Sequence, residues 1–248
     1  AAAGRVPGRP RRRGRAMTGR RRGPVPPPAS TAVFTAQFGD ADPVMPVLEV
    51  TADVDYLVLT DRPLRVPTPW MVRRVEVPSS ITTDRLRNRF CKLRGSQLLP
   101  EYERSLYIDT HLQVVADLSP LLDDFTASGA GVGLMQHPKS SSVREEIERS
   151  LHSGRITDED FAARWPPQQQ RHQGAGFPDD LGVFLAGLIL RDHRWPEVAR
   201  FEDEWWTELT AGVTRDQVAL PFVVWKRSVA PYRIPLDWSL APYFRHWN

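Results

Sequence analysis

ERSLYIDTHLQVV, residues 103–115, is an apolar run that climbs to a carboxylate at Asp109, passes Thr110 and His111, and turns apolar again. The Leu, Tyr and Ile before the acid have the composition of a buried strand. An aspartate and an imidazole do not belong in a hydrocarbon core. Either they are satisfied polar neighbours where the strand stops, or they hold something that a core cannot. Three other stretches end the same way. TAVFTAQFGD (31–40) ends at Phe38, Gly39 and Asp40, DYLVLTD (55–61) at Asp61, and GVGLMQHP (131–138) at His137 and Pro138.

Helical patterns fill the gaps between these runs. Thr83 or Asp84 caps DRLRNRFCKLRGSQLL (84–99), which places Leu86, Phe90, Leu93 and Gln97 on one face and Arg85, Arg89 and Lys92 on another, before Pro100 stops it. Charged helices are expected over 143–151 and from 158 to about 164, followed by a loop. Trp165 and the loop stretch PPQQQRHQGAGFP (166–178) are expected to contact an acceptor. VFLAGLILR (183–191) reads as a strand and PEVARFEDEWWTELTAG (196–212) as a helix, with Gly212 beyond its end. Trp205, Trp206 and Trp225 are expected to fill core. Alternating strands and helices predict an α/β protein with one sheet flanked by helices.

In such a sheet, ligands occupy the crevice outside the carboxyl ends of the strands. That rule alone brings Phe38, Gly39, Asp61, Asp109 and His137 to one edge, and predicts a shared rim for Asp109, Asp61 and His137. The basic face of helix 84–99 would lie beside it. Side chains two apart on an extended chain share a face, so Asp109 and His111 can grip a divalent cation, Mg²⁺ or Mn²⁺ by their donor types. They can equally be a turn cap and its neighbour. In TRDQVALPFVVWK (214–226), Asp216 either anchors a helix start or faces the cleft to bind hydroxyls or take a proton.

Composition sets the limits. The 248 residues suit one α/β domain, and 41% hydrophobic and 25% charged residues are ordinary for a globular protein. One cysteine, Cys91, excludes an internal disulfide framework and fits a reducing, cytoplasmic setting. No apolar run approaches the ~18 residues of a membrane span. Nine arginines and no acid fall in residues 1–30, so the net charge of +3 becomes −6 over residues 31–248. Residues 1–30 are expected to be a disordered Arg/Pro-rich arm, and part of it, residues 1–16, can precede a start at Met17. Residues 31–248 are expected to fold as a single domain.

Taken in order, VFTAQFGD, DYLVLTD, NRFCKL, LPEYERSLYIDTHLQV, QHP, REEIE, GLILR, WW and RDQVALPFVVWK resemble a family of glycosyltransferase-like domains of bacteria and plants, the plant TOD/MUCI type. The resemblance covers residues 31–227. It implies a GT-A-like, Rossmann-type fold and hexosyl transfer from a nucleotide-diphosphate-sugar donor to a glycan, lipid or small-molecule acceptor. By the same resemblance Asp109 and Asp216 are the catalytic acids. Thr35, Phe38, Gly39, Asp61, Arg89 and Lys92 would bind the donor, and His137, Arg215 and Gln217 the acceptor. Asp109 with His111 would bind manganese or magnesium. The chain departs from the pattern at Thr110-His111, where relatives carry Gly-Asn or Gly-Lys, and it lacks the second carboxylate of a full D-x-D. The arginine arm also admits a different class of function, a non-catalytic protein that binds polyanions or nucleic acid through it.

Overall fold

A computed structural model of the chain describes residue 1 and residues 30–40, 42–237 and 239–247. The expected arm, residues 1–30, lies outside the described residues except at its two ends. Strands β1 (Thr31–Ala36), β2 (Val54–Thr60) and β3 (Met71–Arg74) come first, followed by helices α1 (Asp84–Leu93) and α2 (Gly95–Leu98). Then come β4 (Arg104–Ile108), β5 (Leu112–Val114), α3 (Ser119–Ser128), β6 (Val132–Gln136), α4 (Val143–His152) and α5 (Asp158–Gly174). The chain ends with β7 (Phe184–Asp192), α6 (Val198–Ala211), α7 (Asp216–Lys226), β8 (Tyr232–Arg233) and β9 (Phe244–His246). The α/β expectation holds.

Seven strands form one sheet in the order β3-β2-β1-β4-β7-β6-β8, and β5 pairs with β9 in a small second sheet. The first four strands of the large sheet run parallel, β7 is antiparallel to both β4 and β6, and β8 runs parallel to β6. Alternation along the strands explains why both faces are buried. Phe34, Ala36, Leu57, Leu59 and Leu134 point to one side, where Phe90, Phe201, Trp205 and Leu220 of α1, α6 and α7 cover them. Val33, Tyr56, Val58, Leu106 and Leu188 point to the other, under Leu121, Leu122 and Phe125 of α3. Trp205 is fully buried, as expected of a core residue.

Local chemistry sets the helix starts. Thr83, Ser142 and Thr157 each accept a hydrogen bond from a backbone N–H three residues on and cap α1, α4 and α5. Two expectations change. The helix expected over 84–99 breaks at Arg94 into α1 and α2. The loop expected over 166–178 is helical through Gly174, because α5 continues across Pro166 and Pro167. Side chains anchor it past the carbonyls that two prolines leave without an N–H partner. Gln168 donates to Glu208 at 2.8 Å and accepts from the Val213 N–H at 3.0 Å, and His172 meets Glu208 at 2.9 Å. Gln168 and His172 are buried, while Pro166, Pro167, Gln170, Arg171 and residues 173–176 stay exposed.

Candidate active site

The chain lays down β1, β2 and β3 outward in one direction and then crosses to place β4 on the other side of β1. Such a reversal opens a crevice at the carboxyl ends of the two central strands. Phe38 and Gly39 follow β1 there, and Asp109 follows β4. Gly39 has a φ of 60°, and a Cβ on it would collide with the Asp84 carboxylate at the start of α1. Asp109 donates its N–H to the Gly187 carbonyl at 3.0 Å. A Cβ on Gly187 would come within 3.3 Å of Asp109 Oδ2, so the glycine keeps β7 clear of the acid. Asp109 to Leu112 form a turn closed by a 2.9 Å backbone bond. Asp109 and His111 therefore flank a turn instead of sharing the face of one extended strand.

Two cavities meet at this point. The inner one, about 180 Å³, is walled by Arg89 and Lys92 of α1, Asp109, His111, His137, and Arg215, Asp216 and Gln217 at the start of α7. The outer one, about 420 Å³, lies over the β1 and β4 ends between Phe38, Asn88, Tyr107 and Thr110. Arg89, Asp109 and His111 belong to both. Of the expected rim, Asp109 and His137 come together. Asp61 does not: it lines neither cavity and pairs with Arg87 at 3.3 Å. Thr35 is fully buried within β1 and lines neither; downstream, Phe38 lines the outer cavity and Gly39 lines neither.

The charges form one chain. Lys92 Nζ lies 2.7 Å from Asp216 Oδ2 and 3.2 Å from Asp109 Oδ1. The Tyr107 hydroxyl donates to the same Asp109 oxygen at 2.8 Å. Arg89 and Arg215 stand 3.9 and 3.8 Å from Asp216 Oδ1, beyond hydrogen-bonding reach. Burial alone would push the Asp216 carboxyl up, but Lys92, then Arg89 and Arg215, hold it well below the usual carboxylate range. Asp109 is lowered as well: Lys92 and His111 outweigh burial and the Asp216 charge. Tyr107 is pushed up by burial and by Asp109, so it stays a neutral donor. Arg89 remains a cation despite its burial because Asp216 and Asp109 face it, and among the described residues its buried Nε has no acceptor.

A divalent cation would find Asp109 and His111. Lys92 and Tyr107 occupy Asp109 Oδ1, which leaves Oδ2 as the oxygen for a ligand. Among the described residues no three His, Cys, Asp or Glu side chains gather into a preformed set. An ion held by one carboxylate and one imidazole would take its remaining ligands from elsewhere, and that donor pair suits Mn²⁺ better than Mg²⁺.

No family model and no curated protein matches the chain. Among solved structures, mouse xyloside xylosyltransferase 1 is similar at 11% identity and a TM-score of 0.48, with 84% of each chain covered. The bifunctional glycosyltransferase WbbM is similar at 15% identity and a TM-score of 0.47. The match covers 88% of this chain and 40% of WbbM, so this chain spans less than half of that protein's length. The resemblance to the plant family thus rests on the ordered short motifs alone.

Several site residues carried no readable signal in the sequence. His246 on β9 reaches the inner cavity, where its ring stacks on His111 with centroids 5.7 Å apart, and Leu240 lines the same wall. Only the pairing of β9 with β5, more than a hundred residues away, brings them there. Arg155 and Gly187 join the wall through loop and strand geometry. Glu146 was visible only as one acid in REEIE. Among the described residues no helix is long and apolar enough to cross a membrane.

Proposed function

We propose that the chain is a glycosyltransferase that takes a sugar from a nucleoside-diphosphate donor. The observation that carries this reading is Arg89. It is a buried cation at the junction of both cavities, beside Lys92, with an Nε that no group among the described residues satisfies. A buried guanidinium short of acceptors is poised for an oxyanion ligand. In this reading the nucleoside lies in the outer cavity over Phe38, the diphosphate meets Arg89 and Lys92, and the sugar enters the inner cavity. Stabilising the departing diphosphate is then electrostatic work by these two fixed cations. Asp109 and His111 would also hold a Mg²⁺ or Mn²⁺ ion, which when bound adds charge neutralisation at the diphosphate.

Asp216 is held as an anion by three cations, which makes it a poor proton acceptor at neutral pH. Its role is therefore to accept hydrogen bonds from sugar hydroxyls and to offset positive charge that develops at the anomeric carbon. Gln217, buried one residue on, offers a neutral amide to the same sugar. His137 and Arg215 close the far wall, where the acceptor would enter.

Calorimetry and thermal shift with uridine, guanosine, adenosine, cytidine and thymidine diphosphates, with and without Mn²⁺, test the reading. At least one nucleotide should bind, and Asp109→Ala and Arg89→Ala should each weaken it about 10-fold or more. Since the protein donors number two, Mn²⁺ binding should be weak alone and tighten with the nucleotide. Failure of all five diphosphates to bind under either condition would remove the assignment.

A further inference from the structure

Helix α4 packs Val143 and Ile147 against Val218 of α7, yet between them it buries a carboxylate, Glu146, at 1% exposure. A buried acid survives only with partners, and the partners of Glu146 lie around the inner cavity. Its Oε1 accepts from Arg215 Nε at 3.1 Å and Nη2 at 2.9 Å, and from the Ser150 hydroxyl at 3.1 Å. Its Oε2 accepts from the Ser140 hydroxyl at 3.1 Å and lies 3.6 Å from His137 Nε2. The other ring nitrogen of His137, Nδ1, accepts from the Lys139 and Ser140 N–H groups at 3.0 and 2.8 Å. An acceptor at Nδ1 requires the proton on Nε2, the nitrogen that faces Glu146.

We propose that Glu146 is a positioning residue: it holds Arg215 and His137, neighbours on one wall of the cavity, in the orientation that the acceptor side of the reaction needs. The inference rests on the glycosyltransferase reading for its purpose, though not for its geometry. With Nε and Nη2 spent on Glu146, Arg215 keeps Nη1 toward Asp216 and the cavity. With Nδ1 accepting from two backbone N–H groups and Nε2 facing Glu146 at 3.6 Å, His137 is held as a neutral ring rather than a proton shuttle. The groups facing it are Glu146 and Arg149 from α4, Arg155 from the segment after α4, and Arg215 before α7. Burial lowers its pKa, Glu146 pulls it up, and the three arginines lower it further, so the net displacement is downward. Linking the end of β6 to the start of α7 through one carboxylate also gives the acidic stretch REEIE a purpose.

The test is Glu146→Gln in the full chain, which keeps the volume and removes the charge. Histidine and arginine NMR should show His137 as the Nε2–H tautomer in the parent, with a slowly exchanging Arg215 Nε–H. In Glu146→Gln the Arg215 Nε–H should exchange about 10-fold faster or more, and the His137 pKa should fall further, because the acid that raises it is gone. Affinity for the diphosphate chosen by the nucleotide screen should stay within about threefold, while turnover of the matching nucleotide sugar falls about 10-fold or more. Unchanged Arg215 exchange and His137 titration would overturn the proposal. If the variant does not fold, Arg215→Gln reads the same link from the other side: the His137 pKa should then rise, and an unmoved value would be equally fatal. Should the parent bind no nucleotide, the transferase reading fails while the NMR result still decides the role of Glu146.

Discussion

Asp216 is 2% exposed and faces three cations, Lys92, Arg89 and Arg215. Its lowered pKa sets a sign for stability. A depressed folded-state pKa means stabilisation that is complete above the ordinary aspartate value, about 3.9, and is lost as pH falls through the folded value. Asp109 acts in the same direction. The melting temperature should therefore change little on this account from pH 7 to 5 and drop below about pH 4. Lys92→Met removes the ammonium that both acids share and should cost about 3–5 kcal/mol at pH 7, the usual penalty for breaking a buried pair. Less of that cost should appear in acid, where the stranded carboxyls can take protons. A pH series of urea melts distinguishes this from simple loss of packing, which would be equal at every pH. Asp216→Asn should leave diphosphate affinity intact or tighter, since Arg89 and Lys92 lose a competitor, while turnover falls about 100-fold or more. A parallel loss of both would assign Asp216 to donor binding instead.

Helix α1 matters to the site because both Arg89 and Lys92 project from it, so whatever fixes α1 fixes the two cations. Its end is tied down from the sheet. Arg191 of β7 donates to the Lys92 carbonyl at 2.6 Å and pairs with Glu202 of α6 at 2.7 Å, and both charged side chains are fully buried. Glu202 also accepts from the Ser96 N–H and hydroxyl at 3.0 and 2.5 Å. Glu202→Ala should strand Arg191 and cost about 3–5 kcal/mol. Diphosphate affinity should fall with it, because the backbone at Lys92 loses its mooring. Stability curves alongside calorimetry read the two effects, and unchanged affinity in a destabilised variant would separate α1 placement from the pair. Elements with strong local signals were legible from the sequence. The stripe of Leu86, Phe90 and Leu93 predicted which face of α1 packs, and its remainder put Arg89 and Lys92 at the crevice. The strand-end rule found Asp109 and His137. It placed Asp61 wrongly because Arg87, one turn before Cys91 on α1, draws that carboxylate aside. The prolines of α5 misled for a related reason: local propensity argued for a loop, and the tertiary bonds of Gln168 and His172 to Glu208 overrode it.

At the level of the whole molecule, the cavity is closed by the part of the chain that was hardest to read. Where residues 239–247 lie depends on β9 finding β5, a contact between segments with no shared pattern. The outcome is a strap. Phe244 and Leu240 are buried in the core on the α3 side, and His246 reaches the inner cavity beside His111. The strap thus couples stability to the site, and the two contributions can be pulled apart. Deleting residues 239–248 removes the burial of Phe244 and Leu240, about 1.5–3 kcal/mol for each side chain, and opens one wall of the cavity. Both the melting temperature and diphosphate affinity should fall, while circular dichroism of the seven-stranded sheet persists. His246→Ala keeps the β5–β9 pairing, which is made by backbone, and should lower the melting temperature less than the deletion does, because Phe244 and Leu240 stay buried. It should still weaken diphosphate binding measured with Mn²⁺ more than without it, since the imidazole it removes stacks on His111. Equal weakening in both conditions would make His246 a general wall residue, and no weakening in either would confine the strap to a structural role.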